Sequence, residues 1–228
     1  MTTTQLTAPA VSHLDVPLGS PTRPSWRGRL HLLTLALVAP LCIVLAVDAR
    51  SDVIRAGVVV YAVGLCSMFF VSTTYHRWVH TIRARAAWRR ADHAMIFVAI
   101  AGTSTPLCLT LGPASSAAWR LVVVWSIAAV GIVSKATGSR RGNLVGNALY
   151  IANGWAGIAI LPALWSRGYV SATVLLLAGG VVYTVGAAGF ARRWPRLRPS
   201  VFGYHEVWHA ATIAAAGTHL AAVWMITS

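Results

Sequence analysis

Acidic side chains are almost missing from this sequence: there are five among 228 residues, against nineteen lysines and arginines, for a formal charge of +14. Charged residues make up only 11% of the chain, less than half the globular norm, while 57% of it is hydrophobic. That balance points away from a water-soluble domain and toward a polytopic membrane protein. Cysteine is scarce as well. Cys42, Cys66 and Cys108 lie in apolar segments with no paired spacing, which excludes a disulfide framework or a thiolate metal site and leaves small buried hydrophobes. No recognisable nucleic-acid-binding motif accompanies the positive charge, so nucleic acid is not an expected partner. The arginines instead cluster between apolar runs, the pattern of membrane topology and anionic lipid head groups. A cleaved signal peptide is not expected either. Basic residues precede the first apolar run, but no small-residue cleavage site follows it, so the run reads as a retained helix. Residues 1–29, rich in Thr, Pro and Ser, read as a disordered cytoplasmic tail ahead of a single membrane domain at 30–228.

Seven apolar segments are present, near 30–47, 54–76, 92–111, 118–136, 144–164, 169–190 and 204–226. Each approaches the roughly 20 helical residues that a hydrocarbon core of about 30 Å demands. The expected fold is therefore all-α, an integral membrane bundle of seven transmembrane helices. Leu111-Gly112-Pro113 marks a turn between the third and fourth, and Ser166-Arg167-Gly168 is the only break between the fifth and sixth. Arginines give the orientation. They crowd the tail (Arg23, Arg27, Arg29) and the second–third connection (Arg77, Arg83, Arg85, Arg89, Arg90). Lys135, Arg140 and Arg141 lie in the fourth–fifth connection, and Arg192, Arg193, Arg196 and Arg198 in the sixth–seventh. The alternate connections hold few: Arg50 and Arg55, Arg120, and Arg167. The positive-inside rule then puts the N-terminus in the cytoplasm and the C-terminus outside.

Against so apolar a background, the few polar side chains stand out. Tyr204-His205-Glu206-Val207-Trp208-His209 opens the last segment with H-E-x-x-H, the letters of a metalloprotease zinc helix. Histidines four apart share a helix face, roughly 6 Å apart along the axis, and can bind one metal ion. The topology brings His76 and Ser72, at the end of the second segment, to the same depth as Asp92 at the start of the third and as His205 and His209. Three imidazoles and a carboxylate at one level match a catalytic zinc site, with three protein ligands and a position left for water. Asp92 has two readings, a helix N-cap and a functional carboxylate at the edge of an apolar span. Ser72 also has a local reading, a bond back to its own helix. His31, His80 and His219 read as interfacial or hydrogen-bonded helix-end histidines, and His93 points to a different side from Asp92. Thr103-Ser104-Thr105-Pro106 reads as a packing and kink element. Asn153-Gly154-Trp155 reads as close packing through glycine, with an amide for interhelical bonding. Trp26, Trp78, Trp88, Trp194 and Trp208, near segment ends, read as interfacial anchors.

At these residues the chain resembles the haemolysin III family, the bacterial branch of the progestin and adipoQ receptor superfamily. The resemblance rests on Ser72-Thr73-Thr74-Tyr75-His76, on Asp92-His93-Ala94-Met95-Ile96-Phe97 running into Ala101-Gly102-Thr103-Ser104-Thr105-Pro106, on Tyr150-Ile151-Ala152-Asn153-Gly154-Trp155, and on Gly203 through His209. It covers the second to seventh segments in the family's order. It implies a seven-helix bundle in the cell's inner (plasma) membrane, N-terminus inside, with a Zn2+ ion near the cytoplasmic leaflet. The implied zinc ligands are His76, His205 and His209. Asp92 is implied to hold the water at the metal, with Ser72 close by. Glu206 departs from the receptor branch and matches the bacterial one.

The expected activity is zinc-dependent hydrolysis of a lipid amide or ester, the lipid reaching the site laterally between helices. Asp92 would orient or deprotonate water and Ser72 would help hold the oxyanion. Lipid amides are favoured by analogy with alkaline ceramidases, which resemble this arrangement. Glu206 lies about 100° around the helix from His205, so it can face away, for instance toward an arginine of the inner connections. The rival expectations are a pore-forming, haemolysin-like protein and a non-catalytic receptor or sensor with structural zinc.

Overall fold

The computed structural model describes residues 24–111, 114–198 and 200–228. The chain folds into α1 (Arg29–Asp48), α2 (Asp52–Arg77), α3 (Ile82–Thr110), α4 (Ala114–Ala136) and α5 (Arg140–Ala156). A 3₁₀ turn, Gly157–Ile160, leads into α6 (Leu161–Ser166), and α7 (Val170–Ala191) and α8 (Tyr204–Thr227) follow. α5, the turn and α6 form one apolar stretch, so among the described residues seven rods are long and apolar enough to cross a membrane, as the sequence predicts. The interruption sits at Pro162, near the start of α6. Proline has no N–H to offer the carbonyl of Ile158, and the helix tightens there instead of running straight. Gly168, at φ +86°, then turns the chain into α7.

Local chemistry sets the helix starts. Ser51, Thr81 and Ser139 accept from the backbone N–H groups of Ile54, Ala84 and Gly142, satisfying donors that have no intrahelical partner. Thr81 moves one boundary far from its expected place. α3 begins at Ile82, not at residue 92, and its first turns carry Arg83, Arg85, Arg89 and Arg90. An apolarity count passes over this stretch, yet alanine and arginine are good helix formers. Asp92 thus lies about three turns inside α3 and is not its N-cap, which is Thr81. Residues 112 and 113 of the expected third–fourth turn lie outside the described residues.

α3 is the central rod, packed on α2, α4, α5 and α8, while α8 closes the bundle against α1, α3 and α7. Glycines let α2 and α3 meet backbone to backbone. A Cβ on Gly64 would sit 3.0 Å from the carbonyl of Val98, and one on Gly102 3.3 Å from that of Val60. Thr103, Ser104 and Thr105, just before Pro106, donate back to the carbonyls of Ala99, Ile100 and Ala101. Leu45, Val58, Tyr61, Phe69, Val223 and Ile226 fill the main core, while Phe97 and Ala101 pack with Val124 and Ala128 under α4. The outer faces are apolar as well. Leu37, Val47, Val63, Val122 and Val185 are among many large hydrophobics left exposed, a surface suited to lipid and not to water.

Of the expected 1–29 tail, residues 1–23 lie outside the described residues. Ser25 and Trp26 donate to the carbonyls of Ser200 and Val201, fastening the lead-in to α1 against the connection between α7 and α8. Gly28, at φ +74°, then lets α1 start where a Cβ would meet the side chains of His76 and Arg77.

Candidate metal centre

α2 ends and α8 begins at the same end of the bundle, and their histidines converge there. The ring centroids of His76, His205 and His209 lie 4.8 Å (76–205), 5.0 Å (76–209) and 4.7 Å (205–209) apart. One ligand nitrogen from each falls within 4.8 Å of the others. The Nε2 atoms of His76 and His205 are 3.2 Å apart. At that separation two imidazoles share either a proton or a cation. Two nitrogens on one tetrahedral zinc at about 2.0–2.1 Å would stand about 3.3 Å apart. The group therefore fits a metal ion. His76 and His209 are buried, and His205 is partly so, its ring edge-on to Phe190 of α7.

Ser72 lies one helical turn before His76, on the same face of α2, and is buried. Its hydroxyl lies close enough to the Asp92 carboxylate on α3 to interact with it. The close approach of α2 and α3 at Gly64 and Gly102 is what allows this pairing. The five residues singled out from sequence thus fall in two sets, three imidazoles in one and Ser72 with Asp92 in the other, linked through α2, which carries both Ser72 and His76.

The fourth histidine at the site is His31. The sequence suggests a helix-end histidine; the structure buries its ring and stacks it on His209, with centroids 3.9 Å apart and planes 15° apart. Phe69 meets it edge-on at 5.1 Å. Thr212 fixes its tautomer. The Thr212 hydroxyl donates to the His209 carbonyl, so its lone pairs accept, and His31 Nε2, 3.1 Å away, carries the proton. His31 Nδ1 is buried with no hydrogen-bond partner. Nothing near His31 in the sequence repeats at helical spacing, so no local signal marks it.

Glu206 is also settled by geometry. It is buried, one carboxylate oxygen pairs with Arg27 and the other accepts from Gly203 N–H at 2.8 Å. It caps its own helix and ties the lead-in of α1 to α8, so the arginine it faces belongs to the tail and not to an inner connection. Two other expectations change. Gly154 has open space where a Cβ would be, so it packs against nothing. Asn153 is buried with neither amide atom bonded. Trp208 lies against Phe190 and Tyr183, with ring centroids 5.9 and 6.5 Å away, and is a packed residue as well as one near a helix end.

Fold and site together define a multi-pass membrane protein whose helix ends enclose a three-histidine cluster able to bind a metal ion. Comparison with known proteins places it more narrowly. The family model described as "Haemolysin-III related" matches residues 20–220. The chain is 32% identical to "Hemolysin-3" of Bacillus cereus over 78% of its own length and 80% of the relative's. It is 29% identical to the "Hemolysin-3 homolog" of Bacillus subtilis (strain 168), covering 66% and 68%. With human "Monocyte to macrophage differentiation factor" it shares 26% identity, over 72% of this chain and 68% of that one. The chain belongs to the haemolysin III-related family.

Proposed function

We propose that this protein is a zinc-dependent hydrolase of lipid amides or esters, working within the membrane with its N-terminus in the cytoplasm. The single observation that carries this reading is the histidine triangle, with the Nε2 atoms of His76 and His205 at 3.2 Å, set beside the Ser72–Asp92 pair. His76, His205 and His209 would hold the ion. Bound there, zinc would lower the pKa of water and polarise an acyl carbonyl.

The chain's own groups supply the rest. Asp92 is the base: it takes a proton from the attacking water and returns it to the leaving amine or alkoxide as the acyl C–N or C–O bond breaks. Water's oxygen ends in the carboxylic acid product, so the atoms balance. Ser72 is close enough to Asp92 to interact with it. Its role is therefore to position Asp92, a shift from the oxyanion role expected at first. Glu206 is engaged by Arg27 and Gly203 and is not the base.

The test uses purified full-length protein. Metal analysis should find about one zinc per chain, and a panel of lipid amides and esters should include a substrate. Asp92→Asn should keep the zinc and lose at least about a hundredfold in turnover. Wild-type turnover in Asp92→Asn on every substrate would remove the base role. The relatives' printed name favours one other reading, a lytic pore. It calls for ion flux through the protein in liposomes that persists when zinc is stripped.

A further inference from the structure

A polar pocket opens at the same end of the bundle as the histidine cluster, where α3 starts and α4 passes into α5. It is a cavity of about 130 Å³ lined by Arg89, Arg90, His93, Lys135, Gly138 and Asn143. That is far more than the roughly 15 Å³ one water needs. Its floor is Lys135, the only lysine in the chain and 2% exposed. The ammonium donates to Asn147 Oδ1 at 2.6 Å and to the Asn143 carbonyl at 3.2 Å, and lies 4.8 Å from the centre of the Tyr150 ring. All three partners are neutral. The ion pairs among the described residues are Arg27–Glu206 and Arg55–Asp52, neither of them here. The nearby carboxylate, Asp92, is the one in reach of Ser72. Arg90 lies over the Gly138 turn, its guanidinium 3.3 Å from where a Cβ would sit. The pocket thus gathers three cations and no anion of the protein.

We propose that this pocket binds a phosphate-bearing anion, supplied by a phospholipid head group or by free phosphate. A buried ammonium without a counter-charge is costly, and an anion in the cavity offsets that cost. Arginine guanidinium groups match phosphate oxygens in a bidentate fork, and lysine adds a point charge. The pocket lies at helix ends, where lipid phosphates run, and basic pockets between helices are known to hold head groups. Nothing in this inference depends on hydrolysis or on zinc.

The experiment titrates the full-length protein in neutral detergent with short-chain phosphatidylglycerol, diacylglycerol of the same chains, and inorganic phosphate. Binding is read by native mass spectrometry and melting temperature. Two double variants remove equal charge from exposed positions: Arg89→Gln with Arg90→Gln in the pocket, and Arg85→Gln with Arg141→Gln outside it. The expected result is saturable binding of phosphatidylglycerol and none of diacylglycerol. Affinity should fall at least about tenfold in the pocket variant and stay at wild type in the control. Displacement of the lipid by millimolar phosphate identifies the free anion as an occupant, and its failure identifies the head group; either outcome supports the site. Equal loss in both variants, binding of diacylglycerol as tight as that of phosphatidylglycerol, or no binding of either phosphate source by wild type would overturn it.

Discussion

The two sides of the bundle are packed on different terms. Of the most apolar windows of α2, α3 and α8, 44%, 56% and 44% of residues are buried, whereas the α5–α6 stretch and α7 bury 11% and 6%. All five residues singled out from the sequence come from the first group. His76 and Ser72 are on α2, Asp92 on α3, and His205 and His209 on α8. α5 and α7 serve as an outer wall toward lipid. The difference shows where geometry has to be held. A metal site would tolerate little error in its ligands: α2 is held to α3 at Gly64 and Gly102, α8 packs on α1, α3 and α7, and His31 of α1 stacks on His209.

The largest predicted effect tests whether that closed side is built around a metal. His209→Ala removes a ligand and the ring on which His31 stacks. Zinc per chain should fall from about one toward zero, measured on protein that still elutes as a single species. Full zinc retention would mean that the cluster is only packing.

Next in size is His31→Ala. His31 bonds Thr212 and stacks on His209, so its loss should free the His209 ring and weaken zinc affinity by about 10–100-fold, the usual cost of losing an outer-shell partner. His31→Phe keeps a flat ring and should recover part of that loss. A competition titration against a chelator gives the number, and the visible spectrum of cobalt-substituted protein reports whether the ligand geometry has changed. If alanine and phenylalanine behave alike, the stack contributes nothing.

The uneven success of the sequence follows from the range of each signal. Helix number was legible because lipid-facing rods are apolar along their whole length, so composition alone marks them. The histidine cluster was legible because His205 and His209 share a helical face and because topology sets His76 at their depth. The start of α3 was not, since its arginines break the apolar run while leaving helix propensity intact; the cap at Thr81 was the available clue. His31 and Arg27 were invisible for another reason. Their partners, His209 with Thr212 and Glu206, lie at the far end of the chain, and nothing local records such a meeting.

Glu206→Gln gives a smaller effect that separates fold from chemistry. It leaves the Arg27 guanidinium facing a neutral amide. A fully buried pair broken in this way costs about 3–5 kcal/mol. Arg27 is 24% exposed, so about 2 kcal/mol is expected. The midpoint of denaturant unfolding in micelles should move down while zinc per chain and hydrolysis stay at wild type. Loss of turnover with intact zinc would give Glu206 the role of base.

The smallest effects compare the two sides directly, with one substitution made on each. At Gly64→Ala the new methyl meets the Val98 carbonyl at 3.0 Å, so α2 and α3 must part. Overpacking of this kind costs about 1–3 kcal/mol. At Gly154→Ala the methyl meets nothing within 4 Å, and alanine is the better helix former by about 1 kcal/mol. That variant should be neutral or slightly more stable. Zinc affinity separates them further: Gly64→Ala moves Ser72 and His76 relative to Asp92 and should weaken binding, whereas Gly154→Ala should leave it unchanged. Equal destabilisation by the two would show that α5 is as closely held as α2, which would end the distinction between a locked side and a lipid-facing wall.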